Sequence, residues 1–220
     1  EKLSDFDVEN NDSTVSRNDL EKSIEEIDKN ADIIEIESVG TRVAEGTIRN
    51  SIVAVSVASF FVMIYVLYAF RRLEKSYRFA ISAVLTLIHD VVLVTGIYAL
   101  FGHIFGLQVN SVFIVALLTV IGYSVNDTIV IFDRIRENQI KFPDNKYSSN
   151  INISINESII RSLGTSITTL LVLFSMLILG GSTLREFIVV LILGVVVGTY
   201  SSIFIASQFL IIWEEGIKKD

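Results

Sequence analysis

Four ionisable residues fall inside strongly apolar stretches of this sequence, where a charged side chain is unfavourable. Asp127 and Arg161 lie in the third and fourth of these stretches, and His89 and Asp90 lie near the middle of the second. An Asp or Arg at the centre of a membrane helix costs about 2.5–3.5 kcal/mol on insertion scales. Such residues normally face neighbouring helices and mark a route for ions or protons, so these four are candidate proton-relay groups.

Asp127 and Arg161 form the first candidate pair. Asp127 lies past the middle of its stretch and Arg161 about one turn into the next, so antiparallel helices place them at similar depths. Arg161 would favour the charged form of Asp127 when close and release it when distant. Two interpretations fit: a carboxyl that gains and loses a proton, and a static ion pair that holds two helices together.

His89 and Asp90 form the second candidate pair. Adjacent helical residues point about 100° apart, so the two side chains need not contact each other. Either could relay protons, or each could bond across the bundle to Asn, Ser or Tyr. One mid-membrane His with scattered carboxylates lacks the ligand spacing of a zinc site. The absence of cysteine excludes thiolate metal sites and disulfides, so we expect no metal and no other cofactor.

Long helices must position these residues. The sequence contains five apolar runs, each close to the roughly 20 residues that cross a bilayer. They are residues 51–70, 79–101, 112–132, 158–179 and 187–213. The single proline among 220 residues, Pro143, fits long uninterrupted helices. The sequence therefore predicts a polytopic α-helical membrane protein with five transmembrane helices.

The first fifty residues have a different composition, with many acidic side chains. The spacing of Leu20, Ile24 and Ile27 predicts a short amphipathic helix, and the alternation in residues 32–38 predicts a strand. We expect residues 1–40 to be the C-terminal part of a truncated extracytoplasmic α/β domain, and residues 41–50 a linker or helical extension. A chain with a net charge of −7 gives no reason to expect nucleic acid as a partner.

Lys and Arg collect on one side of the predicted bundle, as cytoplasmic connections do. The residues on this side are Arg71, Arg72, Lys75, Arg78, Arg134, Arg136, Lys141, Lys146, Arg161, Lys218 and Lys219. This distribution predicts that residues 1–50 are extracytoplasmic and residues 214–220 a cytoplasmic tail. An external segment before an odd number of spans implies an earlier span or a separate targeting signal.

Three further patterns have two interpretations each. The hydroxyl-rich fourth run could line a water path or pack closely against another helix. Gly194 and Gly198 form a G-x-x-x-G pattern, most simply a packing face. The loop that opens at residues 133–138 could contact a partner or gate the cytoplasmic entrance, or it could be a solvated anchor. No nucleophile elbow, phosphate loop or metalloprotease helix is present, which argues against a membrane hydrolase or an ATP-driven pump within this chain. We therefore do not expect the chain to be an enzyme.

Residues 122–138 closely resemble the signature of the SecF family, membrane subunits of the bacterial Sec protein-export machinery. The segment reads Gly122-Tyr123-Ser124-Val125-Asn126-Asp127-Thr128-Ile129-Val130-Ile131-Phe132-Asp133-Arg134-Ile135-Arg136-Glu137-Asn138. Residues 87–90 and 161–169 also match, although the family usually has Arg-Thr where this chain has Arg161-Ser162. Near residue 39 the family commonly has Val-Gly-Pro, where this chain has Val-Gly-Thr. The resemblance covers about residues 32–213.

The resemblance implies a six-span protein of the bacterial cytoplasmic (inner) membrane, within the resistance-nodulation-division superfamily. It implies SecD and the SecYEG translocon as partners, with YajC and YidC as further candidates, preproteins as substrates and the lipid bilayer as surroundings. The implied role is to use the proton-motive force to assist late steps of preprotein export. The implied proton route involves Asp127 and Arg161, together with a carboxylate supplied by SecD.

The remaining motif residues then take supporting positions. We expect the first set to be the polar surroundings of Asp127 and the second set to belong to the cytoplasmic loop motif. The first set is Gly122, Tyr123, Ser124, Asn126 and Thr128, and the second is Asp133, Arg134, Arg136, Glu137 and Asn138.

Two other functions are compatible with the sequence. A superfamily exporter of small molecules or lipids would have an apolar substrate cleft in the external domain and would act without SecYEG. A structural translocon scaffold would tolerate Asp127→Asn and Arg161→Ala without loss of function.

Overall fold

The computed structural model describes residues 41–71, 73, 75–105, 109–181 and 184–216. The helix and strand expected within residues 1–40 lie outside this range. The described residues form α1 (Thr41–Ala69), α2 (Ser76–Phe105), α3 (Ser111–Lys141), α4 (Tyr147–Leu179), α5 (Arg185–Ser201), a π-helical turn (Ser202–Ala206) and α6 (Ser207–Glu215).

Five segments of the described chain are long and apolar enough to cross a membrane, which confirms the predicted number of spans. Four of them are α1 to α4, and the fifth runs continuously from α5 through the π-helical turn into α6. Several helices extend beyond the apolar runs. Hydrophobicity marks only the part of a helix that meets lipid, whereas the helix itself continues wherever its backbone and packing allow.

The largest difference from the sequence prediction lies between the third and fourth spans. Residues 133–138 were expected in a loop, but they lie on the last turns of α3, and α4 begins at Tyr147. Only residues 142–146 connect the two helices. The segment is polar because it leaves the apolar region, and it stays helical because it packs against the polar first turns of α4.

Helix α3 lies at the centre of the described bundle and contacts α1, α2, α4 and α5. Its closest approach is to α5, where Gly194 faces Val120 and Gly198 faces Ser124. A Cβ atom at Gly194 would overlap the Val120 side chain, and one at Gly198 would lie 3.0 Å from the Ser124 Cβ. The structure thus confirms the packing interpretation of the G-x-x-x-G pattern, and this contact fixes the depth of Ser124 against α5.

Aromatic side chains join α1, α2 and α3 at the end of the bundle where α1 ends. The rings of Phe70 and Phe79 stack with centroids 5.1 Å apart, and Phe132 meets Phe79 edge to face at 5.2 Å. All three side chains are buried. Such pairs stabilise packing beyond the area that they bury, so α1 is held against α3 near the polar end of that helix.

Candidate proton-relay site

Asp127 lies on α3 and faces α4, with 8% of its surface exposed. The hydroxyl of Ser162 on α4 lies 2.6 Å from one carboxylate oxygen and 2.5 Å from the other. Ser162 is itself buried. Within the described part of the chain, this serine is the hydrogen-bond partner of Asp127, and no cation contacts the carboxylate. A buried carboxylate with one hydroxyl donor has little compensation for its charge.

Arg161 does not contact Asp127 in this structure. It is exposed, and it forms no salt bridge with any residue that the structure describes. Consecutive residues of a helix point about 100° apart, so Ser162 faces Asp127 while Arg161 faces away. The two residues do lie on neighbouring antiparallel helices, as expected, and their shared role in proton transfer stays a prediction.

A stripe of small polar residues explains why Ser162 faces α3. Five side chains recur at every fourth position of α4, which places them on one face of the helix. They are Asn150, Ser154, Ser158, Ser162 and Ser166, and all five are buried. Small polar residues let membrane helices approach closely and bond across the contact. Packing therefore accounts for much of the hydroxyl-rich face. The four-residue spacing is the sequence signal that places Ser162 on the face of α4 that meets α3.

The polar stripe continues into a contact with α5. The hydroxyl of Tyr123 on α3 donates to the Ser166 oxygen at 3.1 Å, and Ser166 lies 2.5 Å from the Thr199 hydroxyl. Ser166 also donates to the backbone carbonyl of Ser162. These bonds connect three helices about one turn from the Asp127–Ser162 contact, so the position of Ser162 depends on α3 and α5 as well as on its own helix.

His89 and Asp90 form a second polar group, on α2. The two side chains are in contact, with His89 Nδ1 3.0 Å from one carboxylate oxygen of Asp90. The other carboxylate oxygen accepts a hydrogen bond from the Ser124 hydroxyl of α3. Asp90 is 2% exposed, whereas His89 is partly exposed. The bond across the bundle to a serine matches one of the two interpretations of the sequence, and a relay role for either residue stays a prediction.

The π-helical turn of the last span forms hydrogen bonds with α3. Ser202, its first residue, donates to the Ser124 carbonyl at 3.2 Å and lies 2.8 Å from the Thr128 hydroxyl. π-helical turns within α-helices are rare and frequently occur at functional sites. Here the turn places one serine against two positions of the motif helix, an arrangement that the sequence pattern did not indicate.

The motif residues around Asp127 therefore face different neighbouring helices. Ser124 bonds to Asp90, Thr128 to Ser202 and Tyr123 to Ser166, whereas Gly122 and Asn126 are exposed. None of these five contacts the Asp127 carboxylate within the described structure. They build the contacts of α3 with α2, α4 and α5, and the direct partner of Asp127 comes from α4.

The polar end of α3 is tied to α4 by charged side chains. Arg134 bonds to Glu157 at 2.7 Å and to Glu137 at 2.5 Å. Asn138 donates to Glu157 at 2.7 Å and to Ser154 at 3.0 Å. A further pair on the same helix, Arg136 with Asp133, lies at 2.7 Å. These contacts extend the polar α3–α4 seam from the Asp127 region to the end of the bundle.

A polar cavity of about 570 Å³ lies beside this seam, between α1, α3 and α4. Three carboxylates and three guanidinium groups line it, together with an equal number of uncharged apolar and hydroxyl side chains. The charged residues are Asp133, Arg134, Arg136, Glu137, Glu157 and Arg161. No group of three or more metal-ligating side chains occurs among the described residues.

Comparison with known proteins places this arrangement in a family. The model of "Protein export membrane protein SecD/SecF, C-terminal" matches residues 19–216. The chain belongs to the SecD/SecF family. The protein translocase subunit SecF of Thermobaculum terrenum is 44% identical over 177 residues, which cover 80% of this chain and 56% of that protein. The names of such relatives describe transport subunits, not enzymes.

Two solved structures share the fold. A crystal structure of SecDF in a super-membrane-facing form has a TM-score of 0.74 and 34% sequence identity, and the match covers 92% of this chain and 26% of that one. SecDF from Thermus thermophilus, described as a translocon-associated membrane protein, has a TM-score of 0.70 and 40% identity over 80% of this chain and 23% of that one. The helical membrane fold and the multi-pass character are thereby confirmed. The chain spans little more than half the length of the curated SecF relatives that it matches.

Proposed function

We propose that this chain is part of a SecF-type subunit that works with SecD and uses the proton-motive force to assist late steps of preprotein export through SecYEG. The family membership supports the role in export. The observation that carries the proton-linked part is the setting of Asp127, a buried carboxylate at a helix contact with one serine as its partner. A carboxyl in that setting is well placed to change helix packing when it gains or loses a proton.

In the proposed coupling, Ser162 and Arg161 of α4 alternate as the residue that contacts the Asp127 carboxylate. A protonated Asp127 is neutral and needs no more than the Ser162 hydroxyl. A deprotonated Asp127 is stabilised by a nearby cation, and Arg161 is the adjacent residue. A rotation of α4 by about 100° would replace Ser162 with Arg161 at the carboxylate. The membrane potential supplies about 2.3 kcal/mol per charge per 100 mV, enough to bias two such packings.

SecD is the partner that this proposal requires most directly. The solved structures that share the fold are called SecDF, and this chain matches about a quarter of each. We further propose that the Lys- and Arg-rich connections lie in the cytoplasm and residues 1–50 outside the bacterial inner membrane, following the charge distribution. Movement of α4 would then pass to α1 through α3, which contacts both helices, and α1 begins at Thr41.

The test is the substitution Asp127→Asn in the full-length protein assembled with SecD. Asparagine keeps the size and polarity of the side chain but cannot release a proton. We expect the stimulation of preprotein export by the proton-motive force to be lost, while assembly with SecD is retained. The matched control is Asp144→Asn, because Asp144 is an exposed acid in the α3–α4 connection. Export is measured in membrane vesicles with and without an imposed proton-motive force.

Two outcomes would replace the proposal. Unchanged stimulation in both Asp127→Asn and Arg161→Ala would favour a structural scaffold of the translocon. Proton-driven transport of a small molecule or lipid by vesicles that contain this protein and SecD but no SecYEG would favour a superfamily exporter.

A further inference from the structure

An apolar groove lies between α1, α2 and the beginning of α3, and it shares no lining residue with the polar cavity. Its volume is about 580 Å³, and its lining falls within residues 48–56, 91–99 and 109–117. Ten of the thirteen lining residues have no polar side-chain atom, three carry a hydroxyl, and none is charged. The Ser56 hydroxyl donates to the Ile52 carbonyl at 2.7 Å, so its hydrogen bond is already formed within α1. The groove therefore favours an apolar occupant over water.

Helix α1 is packed differently at its two ends. Near its last residue, Phe70 is 2% exposed and stacks on Phe79 of α2. At the groove, Ile48 and Ile52 are 55% and 62% exposed, although both line the groove. A Cβ atom at Gly96, on the α2 side of the groove, would meet nothing within 4 Å. The beginning of α1 therefore leaves space beside α2 that no side chain of the described structure fills.

The depth of the groove matches one leaflet of a bilayer. The membrane-spanning part of α1 begins at Ile48, which is also the first groove residue of that helix, and Ser56 is the last. Eight residue steps at about 1.5 Å each give a length of about 12 Å. Half of the hydrocarbon core of a bilayer is about 15 Å thick. The groove therefore extends along the acyl chains of the leaflet in which α1 begins.

A cation lies at the membrane-surface end of the groove. Arg49 is the second residue of the membrane-spanning part of α1 and is exposed. It forms no salt bridge with any residue that the structure describes. Arg49 precedes the groove residue Ser56 by seven positions, or about two turns, so the two lie on the same face of α1. A guanidinium group binds phosphate through two parallel N–H bonds, and lipid phosphates lie at this membrane boundary.

We propose that this groove is a binding site for an anionic phospholipid of the leaflet in which α1 begins. One acyl chain lies in the groove between α1 and α2, and the headgroup phosphate contacts Arg49. The bound chain fills the space beside Gly96 and so supports the beginning of α1, the helix that follows residues 1–40. This site is separate from the Asp127–Ser162 contact and does not depend on the proton-linked role proposed above.

Photolabelling tests the site in the full-length protein assembled with SecD. The complex is placed in nanodiscs of phosphatidylethanolamine that contain increasing fractions of phosphatidylglycerol with a photoactivatable diazirine in its acyl chain. After illumination, mass spectrometry measures the label on peptides that contain residues 48–56 and 91–99. A binding site gives labelling that saturates as the probe fraction rises, whereas passing contact with bulk lipid gives labelling in proportion to that fraction. We expect saturation at both peptides.

Two substitutions with matched controls locate the acyl chain and the headgroup. Gly96→Trp places a ring in the groove and should abolish the saturable labelling, whereas Leu93→Trp lies on the same helix outside the lining and should not. Arg49→Gln should raise the half-saturating probe fraction about fivefold, because it removes the cation at the headgroup. Arg185→Gln, at an exposed arginine on the same end of the bundle, should leave that fraction unchanged.

Three results would overturn the site. Labelling in proportion to the probe fraction shows ordinary lipid contact only. Absence of label from both groove peptides shows that another helix of the complex covers the groove. Saturation that Arg49→Gln does not shift removes the contact between Arg49 and the phosphate and, with it, the preference for an anionic lipid. Since these measurements do not use export, they are independent of the outcome for Asp127→Asn.

Discussion

Asp90 and Asp127 are both buried carboxylates of the described bundle, but their partners differ. Asp90 on α2 contacts the imidazole of His89 and accepts from the Ser124 hydroxyl. Asp127 on α3 has the Ser162 hydroxyl. Asp90 thus has an imidazole nitrogen and a hydroxyl at its two carboxylate oxygens, whereas Asp127 has a single hydroxyl at its own.

Asp90 and Asp127 also differ in where they lie relative to the polar cavity. The polar cavity is lined by residues of α1, α3 and α4, and none of its lining residues belongs to α2. Asp90 thus lies on the side of α3 away from this cavity, in a contact that α3, α2 and the π-helical turn build together. Asp90 bonds α2 to α3, whereas the proposed function uses Asp127 for proton exchange.

The prediction with the largest expected effect compares the stability of alanine variants at Asp90 and Asp127. Asp90→Ala leaves the buried Ser124 hydroxyl and the partly buried His89 imidazole without their shared partner, and because each buried polar group left unsatisfied costs about 1–3 kcal/mol, we expect a loss of about 3 kcal/mol. Asp127→Ala removes one hydroxyl contact and should cost about 1 kcal/mol. Both are measured as the free energy of unfolding of the assembled protein in mixed micelles. Equal losses in the two variants would contradict the division of roles.

A smaller effect tests the close α3–α5 contact that sets the depth of Ser124. Gly194→Ala places a methyl group where the Val120 side chain lies, and we expect it to destabilise the bundle by about 2 kcal/mol because the two helices must separate. Gly122→Ala is the matched control, since a methyl group there meets nothing within 4 Å. The same unfolding measurement applies. A Gly194→Ala protein as stable as Gly122→Ala would show that α5 can move without cost.

The sequence was sufficient for the parts of this molecule that depend on local properties. Five spans follow from the length of the apolar runs, and the G-x-x-x-G contact follows from glycine spacing. The choice between Arg161 and Ser162 as the partner of Asp127 was not predictable in the same way. The partner depends on the rotation of α4 about its own axis. Adjacent residues point about 100° apart, so these two residues alone do not show which face of α4 meets α3. The four-residue spacing from Asn150 to Ser166 contained that information.

The helical end of α3 was mispredicted for a related reason. Polar composition at residues 133–138 was interpreted as a loop, because in a membrane protein the apolar run is the dominant signal. The helix continues because its charged side chains bond to one another and to α4, as Arg134 does with Glu137 and Glu157. The Arg134–Glu157 contact joins residues 23 positions apart, so no local pattern shows it.

The smallest expected effect concerns the hydroxyl of Ser162 itself. Ser162→Ala removes the donor to Asp127 and should lower the free energy of unfolding by about 1 kcal/mol, whereas Ser162→Thr keeps a hydroxyl and should stay within about 0.5 kcal/mol of the parent. Threonine is the informative control because it keeps the hydroxyl donor and adds only a methyl group. If alanine and threonine behave alike, the serine serves only to let α3 and α4 approach. Asp127 would then need a stabilising partner other than Ser162. The remaining difference between Asp90 and Asp127 would be the His89 imidazole beside Asp90.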